Sequence, residues 1–128
     1  MIQIVNTSGK TWERDGVSLV SATEPWQHQF RALKFAADLQ QRAMLAPRMG
    51  CGKSKNTIDI ICNDERMRRV LILCPSKVQA TWPVQFATHS GARCAVCVPE
   101  GRTVEERARD AFRFLDNSAY PKDMRKIV

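Results

Sequence analysis

The fold is decided by Pro47-Arg48-Met49-Gly50-Cys51-Gly52-Lys53-Ser54, a glycine turn that ends in Gly-Lys-Ser. A short apolar run at residues 43–46 precedes this turn. The segment after it carries apolar residues at helical spacing, as far as Ile61. Because an apolar run, a glycine turn and a helical pattern follow one another, the sequence predicts a strand, a phosphate-binding loop and a helix.

Each residue type in this loop has a physical role. Glycines let the backbone curl until successive N–H groups point into one concavity, and a helix start adds unpaired donors. Lys53 would bring a positive charge to the β- and γ-phosphates, and the Ser54 hydroxyl would ligate Mg²⁺. Pro47 departs from the full pattern, which has a glycine there, and proline has no N–H to donate. We predict nucleoside triphosphate binding, with an ordinary glycine turn into a helix as the alternative.

Length and charge set wider bounds. The chain has 128 residues, enough for one domain with a core, and 44% of them are hydrophobic. It shows neither a membrane-spanning run nor the features of a signal peptide, so we expect a cytoplasmic protein without a membrane partner. Twenty Lys and Arg against thirteen Asp and Glu give a net charge of +7. That charge suits a nucleic-acid partner and equally suits a soluble basic protein.

The five cysteines do not indicate a disulfide framework, because their number is odd and no secretion signal accompanies them. Cys94 and Cys97 have the C-x-x-C spacing of a zinc site or a redox pair, but no second pair or nearby histidine joins them. The same residues fit a buried strand in which positions three apart face opposite ways. We interpret them as core residues.

Strand and helix patterns alternate along the chain. The predicted strands lie around Ile2 and Ile4 and at residues 17–20, 43–46, 70–74, 93–98 and from 124 onward, with 70–74 as a central parallel strand. The predicted helices cover about 26–41, the segment after Ser54, a short stretch around Trp82, and 103–115. The last begins with a capping box of Thr103 and Glu106, and its expected core face is Val104, Ala108, Ala111, Phe112 and Leu115. This order predicts an α/β fold with a parallel sheet and helices on both faces.

The order of the motifs resembles the first RecA-like lobe of a superfamily 2 helicase, especially Swi/Snf-type DNA translocases. Glutamines open a helix before the Gly-x-Gly-Lys-Ser loop, the next apolar strand ends in Cys74-Pro75-Ser76-Lys77, and a turn with Gly101 ends the third. The resemblance covers residues 25–128, which leaves 1–24 as an N-terminal extension with short strands. It implies a RecA-like phosphate-loop domain that binds ATP and Mg²⁺ and interacts with DNA. RNA is the alternative nucleic-acid partner.

The resemblance also assigns roles. Gln29, with Gln27 as the second choice, would recognise the adenine edge, since an amide both donates and accepts. The nucleotide would further contact Arg48, Met49, Gly50, Cys51, Gly52, Lys53 and Ser54, and Ser54 would hold Mg²⁺. The nucleic-acid backbone would contact Pro75, Ser76 and Lys77, and on the same track Gly101 and Arg102.

The family's Asp-Glu motif and its second RecA-like lobe are not found in this sequence. Hydrolysis needs a carboxylate pair at a strand end. Helices or loops, and not the ends of apolar strands, are the expected places of Asp59, Asp64, Glu65, Glu105, Glu106 and Asp123. We therefore assign no catalytic residue and expect an incomplete lobe that binds nucleotide without turnover on its own. Such a lobe would expose an apolar sheet edge and would self-associate or be marginally stable. The alternative functions are a non-catalytic nucleic-acid-binding or regulatory fragment and another phosphate-loop NTPase or kinase.

Overall fold

Six strands and four α-helices make up the computed structural model, which describes residues 1–128. The strands are β1 (Ile2–Val5), β2 (Lys10–Arg14), β3 (Val17–Ser21), β4 (Arg69–Val70), β5 (Cys94–Cys97) and β6 (Arg125–Ile127). The helices are α1 (Gln27–Asp38), α2 (Lys53–Asn63), α3 (Thr81–His89) and α4 (Val104–Asp116). A 3₁₀ turn at Ser76–Val78 precedes α3.

The main sheet has the order β1-β5-β6-β4. Strands β4, β5 and β6 are parallel, and β1 pairs antiparallel with β5. The alternation of strands and helices therefore predicted the α/β class and the parallel part of the sheet correctly, while β1 makes the sheet mixed. Because parallel strands end at the same edge of a sheet, the segments that follow β4 and β5 emerge at one edge, on either side of β6.

Two corrections concern the apolar runs at 43–46 and 70–74. Residues 43–46 form no strand and are mostly exposed, because no strand of the sheet lies beside them to pair with their backbone. The run at 70–74 is the edge of the sheet and not a central strand. Its pairing with β6 ends where Ile72 donates to Val128, and Leu71 and Leu73 are exposed.

The β2–β3 hairpin packs on the helix that follows the glycine turn. Its turn at Asp15 and Gly16 has the positive φ values, 51° and 74°, that tight hairpin turns require. The Asn63 amide at the end of α2 holds β3 by accepting from the Val20 N–H and donating to its carbonyl. The domain boundary expected at residue 24 stays a prediction, while β1 is already a strand of the main sheet.

Helices cover both faces of the main sheet, as predicted. One cluster joins α2 and α3 to the sheet through Ile58, Ile61 and Phe86, and Cys94 lies in it. The other joins α4 through Phe114, and Cys97 lies there. The two cysteines therefore face opposite sides of β5 and are core residues.

The expected core face of α4 is partly wrong. The capping box of Thr103 and Glu106 is present, with the Thr103 Oγ1 accepting from the Glu106 N–H. Phe114, however, is the buried aromatic residue of this helix, whereas Val104, Ala108 and Phe112 are exposed. Only one stripe of α4 faces the sheet, and that stripe contains Ala111 and Phe114.

No helix in the structure is both long enough and apolar enough to cross a bilayer.

Candidate functional site

The glycine turn leads directly into α2. Gly50 and Gly52 have φ values of 77° and 74°, which side-chain-bearing residues rarely adopt, and α2 begins at Lys53. The first intrahelical bond runs from the Asn56 N–H to the Gly52 carbonyl. The N–H groups at the start of α2 therefore have no partners within the helix, so they are available to an anion.

Lys53 reaches back across the turn. Its Nζ donates to the Arg48 carbonyl at 3.0 Å, and its side chain is exposed. The Arg48 side chain is exposed as well, and Met49 lies almost fully in solvent at the mouth of the turn. The ammonium group of Lys53 thus lies over the turn, held only by a neutral carbonyl.

Helix α1 contacts the same turn through two side chains. Gln29 is buried, its Oε1 accepts from the Trp26 N–H at 2.8 Å, and its amide nitrogen packs against Gly52. The His28 Nε2 lies 2.9 Å from the Cys51 carbonyl oxygen. Of the two glutamines proposed for base recognition, Gln29 is therefore next to the turn, whereas Gln27 is exposed on α1.

A cleft of about 860 Å³ opens between the glycine turn and α3. The glycine turn and the start of α2 contribute Met49, Gly50, Gly52, Lys53, Ser54 and Lys55 to the lining of this cleft. The segment that leads into α1, and α1 itself, contribute Thr23, Glu24, Trp26 and Gln29. The 3₁₀ turn contributes Val78, and α3 contributes Gln85 and His89. The volume is within the range of small-molecule sites.

A buried polar cluster forms part of this cleft. The Lys55 Nζ donates to Ser21 Oγ at 2.7 Å and to Asp59 Oδ2 at 2.8 Å, and both charged residues are buried. Burial raises the pKa of Asp59, although the hydrogen bond and charge of Lys55 oppose that shift. The other oxygen of Asp59 has no hydrogen-bond partner.

His89 adjoins this cluster. Its Nδ1 lies 2.7 Å from Thr23 Oγ1. Burial lowers the pKa of His89, and the positive charge of Lys55 lowers it further, so the ring is neutral at pH 7. Sequence reasoning assigned His89 no role, because nothing in the pattern showed that α3 would bring it to the glycine turn. The Lys55–Asp59 pair did have a signal, since the two residues are four apart on a helix.

The cleft contains few groups that could hold a metal ion or activate water. Glu24 is its only carboxylate at the surface, and Asp59 is already paired with Lys55. No group of three or more His, Cys, Asp or Glu side chains is arranged to hold a metal ion. Ser54, the expected Mg²⁺ ligand, lies in the first turn of α2 and lines the cleft.

The segments expected to contact nucleic acid flank one groove at the carboxyl end of the parallel strands. Pro75, Ser76 and Lys77 are exposed and follow the β4 segment, and Gly101 and Arg102 are exposed after β5. Cys74 and Pro99, which neighbour the two segments, line the same apolar groove of about 250 Å³. Trp82 also lines it and packs on Phe86.

Comparison of the chain with protein-family models, with curated proteins and with solved structures found no match.

Proposed function

We propose that this chain is the ATP-binding, nucleic-acid-interacting lobe of a superfamily 2 DNA helicase or translocase. One observation carries the proposal: α2 begins at Lys53 directly after two left-handed glycines, and the buried amide of Gln29 packs against the second of them. Free N–H donors, a lysine and an amide at one cleft suit a nucleotide with a phosphate tail and a base.

The contacts of Lys53 support a triphosphate as the ligand. Its ammonium group donates to a neutral carbonyl, that of Arg48, and it is exposed. Phosphate oxygens would offer the same group a charged acceptor, and charge-assisted hydrogen bonds are roughly twice as strong as neutral ones. Ser54, the next residue of α2, lines the cleft and would hold the Mg²⁺ that accompanies the nucleotide.

The surface around the apolar groove supports a nucleic-acid track. Lys77 and Arg102 are exposed on the two segments that flank the groove. Ser76 offers a hydroxyl beside Lys77, and such groups bind phosphates without reading sequence. DNA is the proposed partner, and RNA is the alternative that a binding comparison decides.

Hydrolysis is proposed only for the complete family architecture. Asp59 is the one buried carboxylate near the glycine turn, and Lys55 holds it. Glu24 is a single exposed carboxylate, and hydrolysis needs a group that holds Mg²⁺ and one that orients water. The proposed activity of this chain is therefore binding.

The test separates the two binding surfaces. Lys53→Ala should abolish binding of a fluorescent ATP analogue in the presence of Mg²⁺ and retain binding of a duplex DNA fragment. Lys77→Ala should weaken DNA binding and reduce its salt dependence, with nucleotide affinity unchanged. Lys122→Ala is the matched control, because it removes the same charge from an exposed loop at the opposite end of β6.

Two outcomes would contradict the proposal in different ways. Unchanged ATP affinity in Lys53→Ala would exclude the phosphate loop as a nucleotide site and leave a non-catalytic nucleic-acid-binding or regulatory protein. Nucleotide binding that depends on Lys53, without any DNA or RNA binding, would indicate another kind of phosphate-loop NTPase or kinase.

A further inference from the structure

The cleft described above also has polar side chains that lie outside the glycine turn. Gln85 and His89 both lie on α3, and both line the cleft together with Gln29 and the glycine turn. They are four residues apart, so they share one face of the helix. Neither residue belongs to the phosphate loop or to α1.

The imidazole of His89 is fixed and has one free nitrogen. Its Nδ1 is 2.7 Å from Thr23 Oγ1, which holds the ring in one orientation. Its Nε2 makes no hydrogen bond within the protein and is not among the buried unpartnered atoms, so solvent reaches it. Gln85 is half-buried, and its amide likewise makes no side-chain hydrogen bond within the protein.

These groups have the chemistry of a nucleoside contact. A phosphate tail at Gly50–Ser54 is matched by backbone donors and Lys53, which are cationic or donate only. Ribose hydroxyls and base edges present both donors and acceptors, and a neutral imidazole or an amide can match either.

We infer that His89 and Gln85 of α3 contact the nucleoside half of the bound nucleotide, an inference that rests on the proposed nucleotide site. They line the same cleft as Gln29 and Trp26, and the proposed place of the base and ribose is between α1 and α3. Thr23 holds the His89 ring through the contact of its Oγ1 with Nδ1.

The experiment compares ATP with inorganic tripolyphosphate as competitors of a fluorescent ATP analogue. His89→Asn retains a polar atom near the position of Nδ1 and removes Nε2, whereas His89→Gln places an amide near Nε2. His89→Asn and Gln85→Ala should each lower ATP affinity about 5- to 10-fold, the effect of one lost hydrogen bond, and leave tripolyphosphate affinity unchanged. His89→Gln should bind ATP more tightly than His89→Asn.

Thr88→Ala is the matched control, because Thr88 is exposed on the same helix and bonds only to the Val84 carbonyl. It should change neither affinity. Unchanged ATP affinity in both His89→Asn and Gln85→Ala, or an equal loss for ATP and tripolyphosphate, would overturn the inference and leave the proposed function intact. Failure of the unmodified chain to bind either competitor would overturn the proposed function and this inference together. Gln85→Ala decides the result if His89→Asn does not fold.

Discussion

The side-chain amide of Gln29 occupies the space where a side chain on Gly52 would begin. A Cβ atom built on Gly52 would lie 2.6 Å from the Gln29 Nε2, which is closer than real Cβ contacts. Gly52 also has a φ of 74°. Two independent requirements, backbone conformation and space, therefore demand glycine at this position.

Gly52→Ala should destabilise the protein more than Gly50→Ala, although the two glycines have nearly the same φ. Gly50 has open space around its Cβ position, so its substitution carries only backbone strain, about 1 kcal/mol. Gly52→Ala adds the displacement of Gln29. Urea denaturation measures both, and Gln29→Ala should reduce the cost of Gly52→Ala. Equal costs for the two glycines in both backgrounds would contradict this contact.

Lys55→Ala should be far more harmful than Lys34→Ala. Both lysines pair with an aspartate four residues on at 2.8 Å, but the Lys55–Asp59 pair is buried and the Lys34–Asp38 pair is exposed. Removing Lys55 leaves a buried carboxylate without its partner, at a cost of about 3–5 kcal/mol. The exposed pair contributes about 0.3–0.5 kcal/mol.

The double variant Lys55→Met with Asp59→Leu provides the control for this prediction. It removes both charges, so its unfolding free energy should lie close to that of the unmodified chain. Similar losses from Lys55→Ala and Lys34→Ala in chemical denaturation would show that Asp59 is not isolated from water.

Asp64 should make stability depend on pH in the acid range. The hydrogen bonds of Arg66, at 2.7 Å and 3.0 Å, hold the pKa of Asp64 far below its usual range, although burial opposes the shift. The unfolded chain, in which the pKa is about 3.9, then takes up the proton more readily. The stabilisation is therefore complete above about pH 5 and is lost as the pH falls from there.

Asp64→Asn should lose this dependence. Unfolding free energies measured in urea between pH 5 and pH 2 should fall less steeply for the variant than for the unmodified chain. Arg66→Gln should show the same flattening, because Arg66 is the main cause of the shift. Parallel profiles for all three proteins would contradict the assignment. Asp59 gives the opposite dependence, since its raised pKa favours the folded state at lower pH, and it is common to all three.

Two phenylalanines of α4 should differ sharply in their contribution to stability. Phe114 is 4% exposed and Phe112 is 65% exposed. Phe114→Ala should cost about 3–5 kcal/mol, because it leaves a cavity between α4 and the sheet. Phe112→Ala should change the unfolding free energy by about 0.5 kcal/mol or less. A larger loss from Phe112→Ala would mean that this face of α4 is covered in solution.

The open edge at β4 should promote self-association. Leu73 is 87% exposed in the segment that leaves the sheet, and unpaired apolar edges pair with other chains. Leu73→Lys should lower the apparent mass at high concentration in sedimentation velocity, because a charge on an edge opposes such pairing. Val84→Lys, at an exposed apolar position on α3, should have no effect. A monomeric unmodified chain at all concentrations would contradict the prediction.

Much of the secondary structure could be predicted from local sequence patterns alone. The Gly50–Ser54 turn, the start of α2 and the Thr103–Glu106 capping box depend on residues close in sequence, whose conformations are set by backbone freedom and short hydrogen bonds. Apolar spacing likewise indicated β5, β6 and the α/β alternation. The choice of Gln29 over Gln27 for base recognition stays a prediction, and the structure shows that Gln29 lies against Gly52.

The sequence by itself therefore determined the glycine turn, the helix that follows it and the order of the elements, because these depend on near neighbours. Only the tertiary structure decided that residues 43–46 form no strand, that β4 is an edge, and that His89 lies in the cleft with Thr23 and Lys55. Strand pairing and cleft composition depend on which distant segment comes to lie alongside, and apolarity or helical spacing does not specify that partner.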